Sequence, residues 1–221
     1  GAVLTANSIA VASEGLIAMQ SGAHIGQTGG TVDLSVEAGG ILQNAGATIV
    51  AEVLRSDSGV TGNVRFMGTN NTIASIGGFA VNGIANSLTL VNTSNLRIDG
   101  PLTAPGTIAL GTSGAITVDG SIGATDRILA LTNGGGVFLQ SGANVTAARI
   151  DLTAENGRIG LSNGARLGQA GAVVGLTATG GGVTQDAGAA ITAGTLLATG
   201  TVAGALTLNG TANAIDTLGS I

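Results

Sequence analysis

A nine-residue pattern recurs five times along the chain and restricts the folds open to it. The copies read IAMQSGAHI, ILQNAGATI, VFLQSGANV, IGLSNGARL and VTQDAGAAI, and they begin at positions 17, 41, 137, 159 and 183. Neighbouring copies within each group start about 22 to 24 residues apart, a period typical of solenoid proteins. In such proteins each repeat forms one coil that packs on the next.

Within each copy, apolar and polar residues alternate with the period of a β-strand. In the first copy this alternation places Ile17, Met19 and Ile25 inside and His24 outside, with a corner at residues 21–22. Helices are disfavoured because Gly recurs every few residues, and each interior Gly costs about 1 kcal/mol relative to Ala. The sequence predicts an all-β chain with three short strands per coil of about 20–24 residues. Pairing of each strand with its equivalent in the next coil gives a parallel β-helix, a β-solenoid, for which we expect the right hand of parallel connections.

The pattern belongs to a longer duplication, which we call the long repeat. The segment VDLSVEAGGILQNAGATIVAEVL at 32 aligns with VGLTATGGGVTQDAGAAITAGTL at 174, and NTIASIG at 71 aligns with NAIDTLG at 213 in the same register. We therefore expect residues 4–79 and 145–221 to be internal duplicates within a single solenoid domain, 1–221. The repeat continues up to Ile221, which aligns with Phe79. This indicates a window of a longer array, or copies that associate end to end.

Composition restricts both the core and the partners. Hydrophobic residues make up 44% of the chain and include only three Phe and no Trp or Tyr, which indicates a narrow aliphatic interior. The net charge is −5, and all seven basic residues are single Arg, so no basic stripe is available for nucleic acid. No apolar stretch is long enough to predict insertion into a membrane. Without cysteine the chain has neither disulfides nor thiolate metal ligands.

Four segments resemble a known family. They are GGGVTQDAGAAITAGTL at 180, LTLNGTANAIDTLG at 206, SLTLVNTSNLRIDGPLTAPGTIAL at 87 and GAITVDGSI at 114. They are similar to the repeat region of filamentous haemagglutinin-like exoproteins of the two-partner secretion route, and the resemblance covers essentially all 221 residues. It implies a right-handed β-helical shaft at the bacterial cell surface or outside the cell, serving in adhesion to host or neighbouring cells or in a biofilm matrix. An autotransporter passenger domain is the neighbouring alternative.

Few residues are candidates for chemistry. His24 is the only histidine and lies close to Ser21 in sequence, but a triad also needs a carboxylate and an oxyanion hole. The equivalent position in another copy is Arg166, so we interpret His24 as an exposed residue. Asp99 and Asp119 are equivalent in the sequences IDG and VDG. Stacked acids bind calcium or act on polysaccharide in some β-helical proteins, but Asp-Gly also forms tight turns in which the Asp side chain bonds the local backbone, and we favour the turn.

Two pairs of amides fall at interior or corner positions. Gln43 and Gln185 take the place that Met19 fills in the first copy, so we expect inward amides bonded to corner backbone groups. Asn71 and Asn213 are expected to bond backbone at a corner. The triple glycines at 134–136 and 180–182 are expected to be corners, because neither has the residues of a phosphate loop. We expect no catalytic, metal-binding or cofactor-binding residues and no enzymatic activity; the alternative is a β-helical carbohydrate-active enzyme.

Overall fold

The chain forms a β-solenoid. The structure, a computed structural model, describes residues 1–132 and 134–220; Asn133 and Ile221, the last residue of the expected second duplicate, lie outside the described residues. The strand pairs within these ranges are parallel, and no helix there is long and apolar enough to cross a membrane. The predicted all-β parallel solenoid is thereby confirmed. The described residues form these strands: β1 Val3–Leu4, β2 Ser8–Ser13, β3 Ile17–Met19, β4 His24–Gly26, β5 Thr31–Val36, β6 Ile41–Gln43, β7 Thr48–Thr61, β8 Val64–Phe66, β9 Thr72–Asn82, β10 Leu88–Asn92, β11 Leu96–Ile98, β12 Leu102–Ala104, β13 Thr107–Thr112, β14 Ile116–Val118, β15 Ser121–Ala124, β16 Arg127–Thr132, β17 Val137–Leu139, β18 Asn144–Thr146, β19 Arg149–Ala154, β20 Ile159–Leu161, β21 Arg166–Gly168, β22 Val173–Ala178, β23 Val183–Gln185, β24 Ala190–Val202, β25 Leu206–Leu208 and β26 Ala214–Leu218.

Strand pairing aligns interior side chains into continuous ladders. Each strand pairs with the strand one coil away, so residues of successive coils lie directly above one another. Ladder I consists of Ile17, Ile41, Val64, Leu88, Ile108, Ile128, Ile150, Val174, Leu196 and Leu218. Ladder II consists of Ile9, Val32, Leu54, Ile76, Ile98, Val118, Leu139, Leu161, Gln185 and Leu208. At a spacing of about 4.8 Å, ten levels give a stack roughly 43 Å long.

The third side of the solenoid is not continuous. Ladder III contains Leu4, Ile25 and Ile49 and ends there. A separate ladder IV begins one strand segment away and consists of Ser56, Phe79, Leu102, Ile122, Val145, Leu167 and Ile191. The sequence repeat makes Ile25, Ile49 and Val145 equivalent and predicts one shared stack. That prediction is correct for Ile25 and Ile49 and wrong for Val145, although all three lie in one hydrophobic core.

The change of ladders coincides with two unusually long strands. β7 and β9 span 14 and 11 residues, and their pairing is interrupted between Leu54 and Ser56 and again between Ser56 and Val60. Such bulges insert residues and bend a strand. Before this region the six-residue strands β2 and β5 carry ladder II; after it, the six-residue strands β13, β16, β19 and β22 carry ladder I. The coil pattern has thus moved by one side of the solenoid, and we refer to residues 48–82 as the face shift.

Among the described core residues, aromatic rings occur only at the face shift. Phe66 and Phe79 are each 1% exposed and pack edge to face, with ring centroids 6.0 Å apart. This arrangement is favourable for aromatic pairs. The third phenylalanine, Phe138, is outside the core on β17, where the Arg158 guanidinium lies 5.7 Å from its ring centroid. The narrow interior predicted from the composition therefore accommodates rings only where the coil pattern changes.

Corner glycines provide a test of coil spacing. Gly168 and Gly142 have positive φ angles of 89° and 87°. A Cβ at Gly168 would clash with the carbonyl oxygen of Thr192 in the next coil, whereas a Cβ at Gly142 would meet nothing within 4 Å. We expect Gly142→Ala to cost about 1 kcal/mol from backbone strain alone, and Gly168→Ala to cost at least about twice that because two coils must separate. Chemical denaturation of both variants measures the difference, and equal losses would contradict this coil spacing.

Candidate functional site

The lone histidine is tied to its own strand. His24 is half-buried on β4, between Val3 and Thr48 of the adjacent coils. Its Nε2 lies 3.0 Å from the carbonyl oxygen of Gly26, and because a carbonyl only accepts, Nε2 donates the hydrogen bond. Ser21 lies exposed at the preceding corner. The position is the outward one that the alternation predicts, and its hydrogen bond is local.

The outward positions carry no repeated polar residue. At the position of His24, the other copies place Thr48 and Ala190, both half-buried, and Asn144 and Arg166, both exposed. These residues stack in two separate columns because the face shift lies between them. A surface that binds a ligand with a regular repeat needs the same polar group at the same position of each coil. No polar group is repeated in this way at the positions named here.

The predicted Asp-Gly turns contain an ion-pair cluster instead of local side-chain bonds. Asp99 and Asp119 lie on adjacent coils, as expected, but both carboxylates bind the Nε of Arg97, at 2.7 and 2.8 Å. The expectation that each Asp would bond its local backbone is wrong. The Arg97 side chain reaches both coils because it projects outward between them. Hydrogen bonding to Asp119, with attraction from both acids, raises the pKa of Arg97.

Two further clusters also join Asp and Arg side chains of adjacent coils. In each, the central Asp lies on a six-residue strand. Asp33, with its side chain 12% exposed, binds Arg55 of the next coil at 3.3 Å. Asp151, with its side chain 5% exposed, binds Arg127 at 2.6 Å and Arg149 at 2.8 Å. Sequence reasoning missed both clusters because single charges in a repeat protein are ordinarily solvated. These two clusters neutralise Asp33 and Asp151, whose side chains are the most buried of the acids in the ion pairs.

Asp57 belongs to the Arg55 cluster, 3.1 Å from the Arg55 guanidinium, and has an altered titration. A hydrogen bond to the Asp33 side chain raises the pKa of Asp57 above 3.8, burial and repulsion from Asp33 add to this, and Arg55 opposes it. The folded chain therefore favours the protonated form of Asp57 more than the unfolded chain does. The stability that this group contributes is present below pH 3.8 and is lost as the pH rises through the raised pKa.

Asp57→Asn is expected to behave as a permanently protonated Asp57. At pH 7 the amide donates to Asp33 without repelling it, so we expect the variant to match or exceed the parent in denaturation midpoint. The advantage should shrink at acid pH, as the pH falls through the raised pKa of Asp57 and the parent gains its own proton. Urea denaturation at pH 7 and at acid pH measures this, with Asp216→Asn as control. An advantage that grows towards acid pH would contradict the assignment.

Two surface grooves cross several coils. One has a volume of about 580 Å³ and is lined by hydroxyls and acids, namely Ser13, Glu14, Ser35, Glu37, Ser58 and Thr61. The other has a volume of about 310 Å³ and its lining includes Glu52, Ser75, Asn95, Arg97, Asp99 and Thr117. The first groove offers hydrogen-bonding groups but no cation and no aromatic ring. In the second groove, the Arg97 guanidinium is already bonded by the carboxylates of Asp99 and Asp119.

A buried amide pair links β6 to the face shift. Gln43 and Asn71 are 0% exposed and bond each other reciprocally: Gln43 Nε2 donates to Asn71 Oδ1 at 2.7 Å, and Asn71 Nδ2 donates to Gln43 Oε1 at 2.9 Å. Gln43 also bonds the backbone of Ala47 and Gly68. The prediction of inward amides bonded to corner backbone is thus confirmed for Gln43.

Asn71 also ends ladder III. Its Oδ1 accepts the backbone N–H of Ile49 at 2.8 Å, a donor that would bond a carbonyl of the next coil if the ladder continued. Asn92 repeats the device one coil later, where its Oδ1 accepts the N–H of Ile73 at 2.8 Å. Asparagine side chains therefore replace the missing backbone acceptors, which removes the cost of burying unpaired N–H groups. The sequence identified the corner role of Asn71 but not the ladder that it ends.

The second duplicate contains the same arrangement. Gln185 and Asn213 bond reciprocally at 2.6 and 2.9 Å, and Asn213 Oδ1 accepts the N–H of Ile191 at 2.8 Å. Gly210 donates to Gln185 as Gly68 does to Gln43. The geometry at the face shift is thus present twice, once in each duplicate of the long repeat.

Neither metal-binding geometry nor comparison with known proteins assigns a function to the chain. The described part of the chain holds no group of three or more His, Asp or Glu side chains placed to bind a metal ion. The triple glycines lie between strands, at corners as predicted. No protein-family model, curated protein or solved structure matches the chain. The features of the described residues that bear on function are therefore the stacked interior, the ion-pair clusters and the grooves.

Proposed function

We propose that the chain is a structural segment of an exported bacterial surface protein or extracellular filament, acting as a rigid β-helical spacer with an adhesive or matrix role and no catalysis. The observation that supports this proposal is that ladders I and II each run through ten levels of stacked residues. Interior residues are aliphatic at nearly every level, and outward residues change type from coil to coil. Selection for regular stacking accounts for both features.

Continuity of the stack favours further coils at both ends. Val3, Leu4 and Leu16 are 65%, 50% and 52% exposed at one end, and Leu218 is 63% exposed at the other. The edge strands there present backbone groups that a further coil would pair. Coils of the same chain or of a second copy would cover these side chains, and host or neighbouring cells are the proposed targets of the resulting fibre.

Surface labelling tests the proposed location. An antibody raised against the purified chain should label intact, unpermeabilised source cells or their extracellular material. A cytoplasmic protein serves as the control for cell integrity. Labelling that appears only after permeabilisation would overturn the extracellular proposal. Incubation of the chain with polyuronates and neutral glycans tests the absence of catalysis, and sustained release of sugar products would overturn that part.

Removal of one coil is expected to be tolerated. Deleting residues 108–127 joins Thr107 to Ile128, which occupies the ladder I position of Ile108. Because each coil contacts mainly its neighbours, we expect a cooperative fold with a loss of roughly one tenth of the unfolding enthalpy. Deleting residues 108–117 instead removes half a coil and places the wrong residues inside. Calorimetry of the two variants should show folding of the first only; failure of both would contradict the spacer account.

A further inference from the structure

Two of the ion-pair clusters show that charged groups at the same position of a six-residue strand lie on different sides of the solenoid. Asp33 is the third residue of six-residue strand β5 and Asp151 is the third residue of six-residue strand β19, and each binds an Arg from an adjacent coil. Asp33 follows Val32 of ladder II, whereas Asp151 follows Ile150 of ladder I. The face shift lies between them. The same outward feature is therefore presented on two different sides.

The second duplicate contains the features with which the face shift begins. The pairing of β22 with β24 is interrupted between Leu176 and Ala178, as the pairing of β5 with β7 is between Asp33 and Val36. β24 is 13 residues long, close to the 14 of β7. The Gln185–Asn213 pair ends ladder IV at Ile191 as the Gln43–Asn71 pair ends ladder III at Ile49.

We propose that each unit of the long repeat contains one face shift, marked by a buried Gln–Asn pair, and that the unit turns its surface pattern by one side relative to the unit before. A shaft built this way displays equivalent surface features on all its sides in turn. The display role rests on the proposed shaft function, whereas the shift depends only on coil stacking. The surface-labelling test can therefore overturn the shaft function without the shift, and the cross-linking tests below can overturn the shift without the shaft function.

The first experiment locates the shift in the chain itself, which has no cysteine. Thr89 lies directly above Arg65, whereas Ser75 lies below Arg97. Paired strands bring Cα atoms within disulfide reach. The double variant Arg65→Cys with Thr89→Cys should therefore cross-link under mild oxidation, and Ser75→Cys with Thr89→Cys should not. Cross-linking of the second pair alone would place Thr89 against β9 instead of β8 and would overturn the proposal.

The second experiment tests recurrence by extending the full chain. A copy of residues 80–142 is appended after Ile221, at the register given by the long repeat. Thr207 and Thr217 are the equivalents of Arg65 and Ser75. Cysteine at Thr207 should cross-link with cysteine at the appended copy of Thr89, and cysteine at Thr217 should not. The reverse result would place the appended copy of Thr89 against the strand that carries Thr217 and would overturn the proposal. An appended segment that remains protease-sensitive would overturn it too, since the C-terminal edge would then not accept the coil.

Discussion

Replacing Ile108 by aspartate is expected to destroy cooperative folding of the chain. Ile108 is 0% exposed in ladder I, with Leu88 below and Ile128 above, so the carboxylate would enter a stack of aliphatic side chains. An unpaired buried charge costs several kcal/mol, and the total stability of a domain is only about 5–15 kcal/mol. Far-UV circular dichroism during urea titration should show a lost or broadened transition.

The neighbouring residue supplies the matched control for this prediction. Ala109 lies next to Ile108 on the same strand, points to the opposite face and is half-buried. Ala109→Asp adds the same charge at the same level but leaves it in contact with water, so we expect a loss below about 1 kcal/mol. Limited proteolysis should cleave the Ile108→Asp variant rapidly and leave Ala109→Asp intact. Similar behaviour of the two variants would mean that the inward and outward sides of β13 are wrongly assigned.

Removing the Asn71 side chain is expected to be the most damaging polar change. Asn71→Ala leaves the Ile49 N–H without its acceptor and breaks both bonds to Gln43. Each buried polar group left unpaired costs about 1–3 kcal/mol, so the combined loss should be roughly 3–5 kcal/mol. The unfolding free energy from chemical denaturation measures it.

The duplicate provides the control for Asn71. Asn213→Ala removes the same bonds, but Asn213 is half-buried, so water can replace part of what is lost. We expect it to cost less than half as much. A double-mutant cycle with Gln43→Ala should show strong coupling to Asn71→Ala, because the two amides bond each other. Additive effects would show that the pair does not act as a unit at the face shift.

The sequence predicted which residues stack within a ladder better than it predicted where one ladder ends and another begins. Period-two alternation and the spacing of the nine-residue pattern correctly placed Ile17 over Ile41 and Ile25 over Ile49, and put Gln43 inside. These are short-range consequences of strand pairing. A repeat shows which residues are equivalent, but it does not show which equivalents touch once a ladder has ended. For this reason Val145 could not be assigned to its own stack.

The ion-pair clusters were missed for a different reason. Arg97 and Asp119 are separated along the chain by about one coil, and Arg55 and Asp33 have the same separation. Searching for opposite charges one coil apart would have found them. The Arg97 cluster is the more exposed of these, and exposed pairs contribute little to stability, generally below about 1 kcal/mol. The stability of the fold rests on the ladders and on the amide caps.

Distances between spin labels along one outward column test the stacking of coils most directly. Ala18, Ala109 and Leu197 belong to the column beside ladder I, four coils apart in each step. Cysteines labelled at Ala18 and Ala109 should lie about 19 Å apart, and those at Ala18 and Leu197 about 38 Å apart, from about 4.8 Å per coil. We expect the second distance to be twice the first. Equal distances, or a second distance shorter than the first, would contradict a solenoid of stacked coils.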